Sequence, residues 1–121
     1  MTIFNQQKIM DHFRNPRNYG TLEHPNFSSG EYNPSCGDAI TIQGIMQDNR
    51  IIRVAFTGKG CVMSQAAASI LLEHVLGKTI DEIEAFDANT MQDLLGIVLG
   101  PVRLKCAMLA VQALKKGLNH A

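Results

Sequence analysis

The stretch Cys36-Gly37-Asp38 places a thiol and a carboxylate two residues apart across a glycine. Two further cysteines, Cys61 and Cys106, lie far along the chain. Thiolates are soft ligands that suit zinc and iron–sulfur clusters, and an aspartate adds a harder oxygen ligand. Three thiolates and one carboxylate make the four ligands that tetrahedral zinc or a two-iron cluster requires. The residue types therefore indicate a candidate metal site of Cys36, Asp38, Cys61 and Cys106.

Simpler explanations exist for the same residues. The cysteines form no CxxC pair, so their spacing alone is weak evidence for a metal site. A free cysteine often packs as a small hydrophobic residue, and an aspartate after a glycine often stabilises its own turn. Gly37 and Gly60, which adjoin two of the cysteines, permit the tight turns that bring backbone close to an ion. Both explanations remain open from the residues alone.

Two basic residues lie close to Cys106. Arg103 lies one helical turn before it and Lys105 directly precedes it. A nearby cation lowers the pKa of a thiol and favours the thiolate, so both are candidate site residues. A lysine at the position of Lys105 is more often a solvated helix residue, and Arg103 is compatible with either a surface charge or a site residue.

Among the histidines, only His24, in a long loop, is a candidate fourth ligand. The others lie in predicted helices or near the C-terminus: His12, His74 and His120. No local pattern marks a cysteine–histidine pair of the hydrolase type. The stretch TGKGC lacks the spacing of a phosphate-binding loop.

Composition restricts the class of protein. The chain has 121 residues, of which 11 are basic and 11 acidic, so the formal net charge is zero. This length predicts a single domain over residues 1–121. The charge balance gives no attraction to nucleic acid or to an anionic membrane. Because no export signal or membrane-length apolar run is seen, the three cysteines predict free thiols in a reducing cytoplasm.

Periodicity and turn residues predict the N-terminal half. A helix is expected over residues 2–14, with apolar positions Phe4, Met10 and Phe13, and it ends before Pro16. A long loop from 17 to 35 is expected to add a short strand. Alternation with a period of two then predicts an antiparallel hairpin, with these apolar positions on its two strands: Ile40, Ile42 and Met46, then Ile52, Val54 and Phe56.

The C-terminal half is predicted to be helical. The first helix is expected over 62–76, with Gly77 as its left-handed cap. A capping box from Thr79 to Glu82 starts a short second helix. Two further helices are expected over 87–95 and over 101–117. Strands grouped before helices favour an α+β fold. The expected architecture is an N-terminal helix, an antiparallel sheet of about three strands and helices packed on one face.

Four stretches taken together, IMDHFRNPRNYG, NPSCGD, FTGKGCVMSQAAAS and RLKCAMLAVQALKKG, resemble the IscU/SufU family, which is also seen as the N-terminal domain of NifU. The resemblance covers the chain from about residue 5 to residue 118. It implies a small α+β protein that accepts sulfur from a cysteine desulfurase, builds an iron–sulfur cluster and passes it to recipient proteins. By motif position, Cys36, Cys61 and Cys106 match the family's site cysteines and Asp38 its site aspartate. The implied occupant is a transient 2Fe–2S cluster or zinc.

The segment LGPVRLKC differs from the IscU pattern Leu-Pro-Pro-Val-Lys-Ile-His-Cys. Gly100 replaces a proline of the stretch that a DnaK-type chaperone recognises in IscU, which counts against that partner. Lys105 stands in place of the histidine, and a protonated lysine cannot ligate a metal. Arg103, three residues before Cys106, is similar to SufU, yet the SufU insert between the second and third cysteines is absent. The subtype therefore stays open.

Three functions follow as hypotheses. The first is an assembly scaffold, not itself an enzyme, in which Cys106 or Cys61 accepts persulfide sulfur and Arg103 or Lys105 helps hold it. The alternative is a zinc-dependent sulfur acceptor, or sulfurtransferase, for the desulfurase. The third is a structural zinc module without sulfur chemistry.

Overall fold

The computed structural model describes residues 3–119, with side chains from residue 5 onward. The expected α+β architecture is confirmed. The elements run in the order α1 (Ile3–Arg14), β1 (Phe27–Asn33), β2 (Asp38–Gln47), β3 (Arg50–Lys59), α2 (Val62–Val75), α3 (Ile80–Glu84), α4 (Ala88–Leu95) and α5 (Pro101–Asn119).

The three strands form one antiparallel sheet in the order β1-β2-β3. Asp48 and Asn49, which connect β2 to β3, both have positive φ, 53° and 65°. Positive φ at both central residues is the conformation of the two-residue hairpin turn that matches strand twist. The expected extra strand forms within the long loop as β1.

The prediction that Ile52, Val54 and Phe56 share one apolar face of β3 is wrong at Ile52. The register shifts between Ile45 and Met46, which pair with Arg53 and Ile51, so Ile52 has no partner on β2. Ile52 is 45% exposed, whereas Ile51 is fully buried. A bulge adds one residue to a strand and reverses the alternation beyond it, which a period of two cannot reveal.

Helix α2 lies at the centre of the fold. It packs against α1, α5 and β3, and α5 packs against β1 and β2. Because α2 is contacted on several sides, most of its residues are apolar and buried. The core joins the sheet to α2, α4 and α5 through large buried side chains, including Phe56, Ile40, Ile42, Leu71, Leu72, Leu95 and Leu114.

Helix α1 buries a different face from the one expected. Among its side chains from residue 5 onward, Ile9 and His12 are buried, while Phe13 is 37% exposed. The expected start at Thr2 and the side chain of Phe4 lie outside the described residues.

The predicted starts of helices α2 to α5 are confirmed. Thr79 and Glu82 form the capping box of α3, and Asp87 caps α4. The predicted left-handed cap at Gly77 is wrong, although its φ is +84°. Leu76 is already extended and the Gly77 N–H donates to the Ile51 carbonyl, so the residue belongs to a β-turn that the Lys78 N–H closes on the Val75 carbonyl. Helix α5 extends to Asn119, slightly beyond the expected end. No helix in residues 3–119 is both long and apolar enough to cross a lipid bilayer.

Candidate metal centre

Three of the four predicted ligands form one compact group. The ligand atoms of Cys36, Asp38 and Cys106 all lie within 4.8 Å of one another. They come from the turn before β2, the first residue of β2 and the second turn of α5. The sulfur atoms of Cys36 and Cys106 are 3.8 Å apart. Separate elements thus bring residues from distant parts of the sequence to one point.

The turn at residues 34–37 presents Cys36 to solvent. The backbone carbonyl of Asn33 accepts from the N–H groups of Cys36 and Gly37, at 3.3 and 2.9 Å, and the Asn33 side chain accepts from Ser35. Gly37 has a φ of +72°, a conformation that glycine adopts without steric cost. Only a weak contact of 3.8 Å joins the Asn33 Nδ2 to the Cys36 sulfur.

Asp38 connects this group to the fourth predicted ligand, Cys61. The fully buried Asp38 accepts a 2.8 Å hydrogen bond from the Cys61 backbone N–H through Oδ1. Its Oδ2 lies 3.6 Å from the Cys61 sulfur. Gly60 has a φ of +130°, and a Cβ atom there would collide with the Asp38 carboxylate. The glycine before Cys61 is therefore what allows the carboxylate to approach this backbone.

Cys61 also caps helix α2. It is the N-cap residue, with extended backbone at φ −72° and ψ 165°, and its sulfur accepts from the Ser64 N–H at 3.4 Å. Sequence reasoning missed Ser64, although a polar residue three positions after an N-cap is a recognisable spacing.

The three cysteines border one open cleft of about 710 Å³. Its other lining residues are Arg103 and mostly apolar side chains of α1, α2 and α5: Gln6, Ile9, Met10, Val62, Met63 and Val102. Lys105 is exposed on α5 and does not line the cleft. The cleft gives external molecules a route to the thiols.

Burial raises the pKa of the Cys106 thiol, and hydrogen bonds with Asp38, Cys36 and Cys61 raise it further. Cys106 is only 4% exposed. The direction is opposite to the lowering that the sequence analysis expected from Arg103 or Lys105. Because a thiol must lose its proton to become a ligand, metal binding at Cys106 releases a proton.

The donor types fit zinc or an iron–sulfur cluster, since two sulfurs and the Asp38 carboxylate form one close group and the Cys61 sulfur lies 3.6 Å from the same carboxylate. His24 is exposed in its loop and belongs to no close group of ligand atoms among residues 3–119. His12 is buried against Ser69, and His74 lies beside Phe86. His120 is outside the described residues.

Comparisons with known proteins agree with the resemblance. Residues 4–120 match the family model of the NifU-like N-terminal domain. The chain belongs to this family. It is 36% identical over 111 residues to the iron–sulfur cluster assembly scaffold protein IscU 1 of Archaeoglobus fulgidus, covering 92% of this chain and 72% of the relative. It is 35% identical to IscU of Escherichia coli, over 93% and 89% of the two chains.

A second kind of relative has a similar level of identity. The zinc-dependent sulfurtransferase SufU of Bacillus subtilis is 32% identical, over 93% of this chain and 88% of its own. The crystal structure of a putative SUF-system scaffold from Fervidobacterium islandicum superimposes with a TM-score of 0.80 at 27% identity, over 93% and 94% of the two chains. The predicted IscU/SufU/NifU membership is confirmed, and overall identity does not separate the two subtypes.

Proposed function

We propose that this protein is an iron–sulfur cluster assembly scaffold. It receives sulfur from a cysteine desulfurase, holds a labile cluster as cargo on Cys36, Asp38, Cys61 and Cys106, and releases the cluster to recipient apoproteins. The observation that carries the proposal is that three thiols border one open cleft and lie close to the buried carboxylate of Asp38. The IscU relatives support it.

The mixed donor set suits transient binding. A carboxylate is a harder ligand than a thiolate and a poorer partner for cluster iron, so the Asp38 corner of a cluster exchanges more readily. Cys36 and Cys61 are exposed, which lets partners reach the ligands during transfer. A two-iron cluster needs four ligands, which is the number that this site offers.

Sulfur delivery requires a nucleophilic thiol, for which Cys61 and Cys106 are the candidates. The thiolate attacks the terminal sulfur of the desulfurase persulfide, the donor S–S bond breaks, and the desulfurase cysteine leaves as a thiolate. Arg103, which lines the cleft, would attract the anionic persulfide. The same role for Lys105 has less support, because its side chain does not line the cleft.

Anaerobic reconstitution tests the scaffold. The protein is incubated with ferrous iron, cysteine, a cysteine desulfurase and a dithiol reductant that reduces the persulfide sulfur to sulfide, and the product is followed by absorption and Mössbauer spectroscopy. We expect a two-iron cluster that a recipient apoferredoxin removes. Failure to assemble any cluster under these conditions would contradict the proposal.

The second candidate function is a zinc-dependent sulfur acceptor. It is favoured by the SufU relative and by the Arg103-to-Cys106 spacing. Zinc would be held by the same four residues and would keep the thiols ionised and protected until the desulfurase docks. Stimulation of a desulfurase by the zinc-loaded protein, lost on zinc removal, would support this function, whereas undiminished stimulation after removal would exclude it. A structural zinc module would instead unfold on chelation and give no desulfurase response.

The cellular setting is part of the proposal. Free thiols at a cluster site require a reducing compartment, so we place the protein in the cytoplasm. A DnaK-type chaperone, nucleic acid and membranes are not among the proposed partners.

A further inference from the structure

The Cys61 sulfur has two potential donors on one residue of α2. The Ser64 backbone N–H donates to it at 3.4 Å, and the Ser64 hydroxyl oxygen lies 3.8 Å away. Ser64 is fully buried, so water does not compete for these groups. Both the backbone and the side chain of Ser64 are therefore placed against this sulfur.

The Ser64 hydroxyl is itself held in place. It donates to the Cys61 carbonyl oxygen at 3.1 Å and accepts from the Gln65 Nε2 at 3.2 Å. A hydroxyl of this kind can turn its single proton from the carbonyl to the sulfur when the sulfur becomes the stronger acceptor. Gln65 continues to donate to the oxygen in either orientation.

The partners of Cys61 suit two states of the sulfur. As a neutral thiol it donates to the Asp38 Oδ2 at 3.6 Å. An anionic sulfur can only accept, and the Ser64 N–H and hydroxyl then supply the donors. Hydrogen bonds to a charged group are the stronger kind. This end of α2 is thus arranged for an anionic sulfur at Cys61.

The other two cysteines lack this combination. Cys106 is 4% exposed, which restricts attack on an external sulfur donor. Cys36 is exposed, but its sulfur contacts are the Asn33 amide and Cys106, both at 3.8 Å. Cys61 alone among the three is both exposed and flanked by donors from a buried residue.

We propose that Ser64 is a positioning residue that makes Cys61 the first cysteine to receive sulfur. This inference rests on the proposed function. The Cys61 thiol loses its proton to solvent and its sulfur attacks the terminal sulfur of a persulfide. The donor S–S bond breaks, a new S–S bond forms at Cys61, and the donor leaves as a thiolate. One disulfide-type bond replaces another, so no external oxidant or reductant is needed.

Site-resolved labelling tests the proposal. The metal-free full chain is treated briefly with glutathione persulfide, alkylated, digested and analysed by mass spectrometry for persulfide at each cysteine. We expect most of the label on Cys61 in the unaltered chain. Ser64→Ala should lower the ratio of labelled Cys61 to labelled Cys36 by about tenfold or more, because it removes one hydrogen bond to a charged group.

Ser69→Ala is the matched control. Ser69 lies in the same helix and is equally buried, but its hydroxyl contacts His12 and the Arg17 N–H. We expect the labelling ratio to stay unchanged in this variant, even if its melting temperature falls. If Ser64 acted only through stability, Ser64→Ala and Ser69→Ala would change the labelling ratio to the same extent. That result would overturn the proposal.

Two further variants guard against a folding defect. Ser64→Thr retains the hydroxyl and should restore the ratio. Gln65→Leu removes the donor that fixes that hydroxyl and should lower the labelling ratio by about twofold. Circular dichroism checks that this variant folds. If Ser64→Ala does not fold, the labelling ratio of Gln65→Leu tests the proposal instead. Label mainly on Cys36 or Cys106 in the unaltered chain, or a ratio that neither variant changes, would refute the inference. Because the assay contains no iron and no desulfurase, failed cluster assembly would not affect its result.

Discussion

The two sides of the candidate metal centre are held very differently. On one side, the Cys61 corner, defined as Gly60, Cys61 and Ser64, is fixed by the buried carboxylate of Asp38 and by the start of α2. On the other side is the Cys36 turn, residues 34–37, where the exposed Cys36 sulfur lies 3.8 Å from the Cys106 sulfur and 3.8 Å from the Asn33 Nδ2. The Cys61 corner is thus held by a buried carboxylate, whereas the Cys36 turn is held by hydrogen bonds to Asn33. The difference predicts that substitutions at the corner cost more than equivalent ones at the turn.

Gly60→Ala should have the largest effect. The added Cβ would displace the Asp38 carboxylate, and a φ of +130° is strained for alanine. We expect the free energy of unfolding to fall by about 2–3 kcal/mol and zinc affinity to fall with it, as measured by urea denaturation and competitive zinc titration.

Gly37→Ala and Gly100→Ala complete this series. Gly37 has a φ of +72° but open space around its Cβ position, so the cost should be about 1 kcal/mol. Gly100 also has open space and no positive φ, so its change should be near zero. Equal effects at Gly60 and Gly37 would remove the distinction between the two sides.

Asp38 is a proposed ligand and also accepts a hydrogen bond from the Cys61 backbone N–H. Asp38→Ala should leave three thiolates, slow cluster exchange, and lower the free energy of unfolding by about 1–3 kcal/mol because a hydrogen-bond partner is lost. Asp38→Asn retains an oxygen acceptor for the Cys61 N–H and should slow exchange with a smaller stability loss. Cluster-transfer rates and urea denaturation measure the two effects separately. Faster transfer from the alanine variant would contradict the ligand role.

Much of this arrangement was predictable from residue patterns, and the remainder depends on tertiary contacts. The cysteines and Asp38 were identifiable by type and motif, and the caps at Thr79 and Asp87 by local spacing. The burial of Cys106 was not predictable, because the cation next to it in the sequence gives no information about how neighbouring helices and strands shield the thiol from water. Ile52 was misassigned because a bulge depends on the pairing of two strands.

The buried His12, which is not one of the proposed ligands, should make the free energy of unfolding depend on pH. Burial, followed by the charge of Arg17, lowers the pKa of His12 below its usual value of 6.5. Below pH 6.5 the histidine binds a proton more readily in the unfolded chain than in the folded chain. The free energy of unfolding should therefore fall as the pH drops from about 7 to 5. Urea denaturation at several pH values should show that the free energy of unfolding depends less steeply on pH in His12→Gln. His24→Gln is the control at an exposed position. An unchanged slope in His12→Gln would remove His12 as a source of the pH dependence.

The smallest expected effect concerns the two cations near Cys106. Arg103 lines the cleft and Lys105 does not. Because exposed charge interactions contribute at most about 1 kcal/mol, Arg103→Ala should slow desulfurase-driven persulfide labelling by about threefold, and Lys105→Ala should leave it unchanged. A larger effect from Lys105→Ala would show that sulfur approaches from outside the cleft.

The central claim is that both sides of the site bind a single metal. X-ray absorption at the zinc edge of the zinc-loaded protein measures this most directly. We predict three sulfur ligands at about 2.3 Å and one oxygen at about 2.0–2.2 Å, with one sulfur lost in Cys36→Ser and in Cys61→Ser alike. A spectrum that contains two or fewer sulfurs, or that is unchanged by either substitution, would contradict the account.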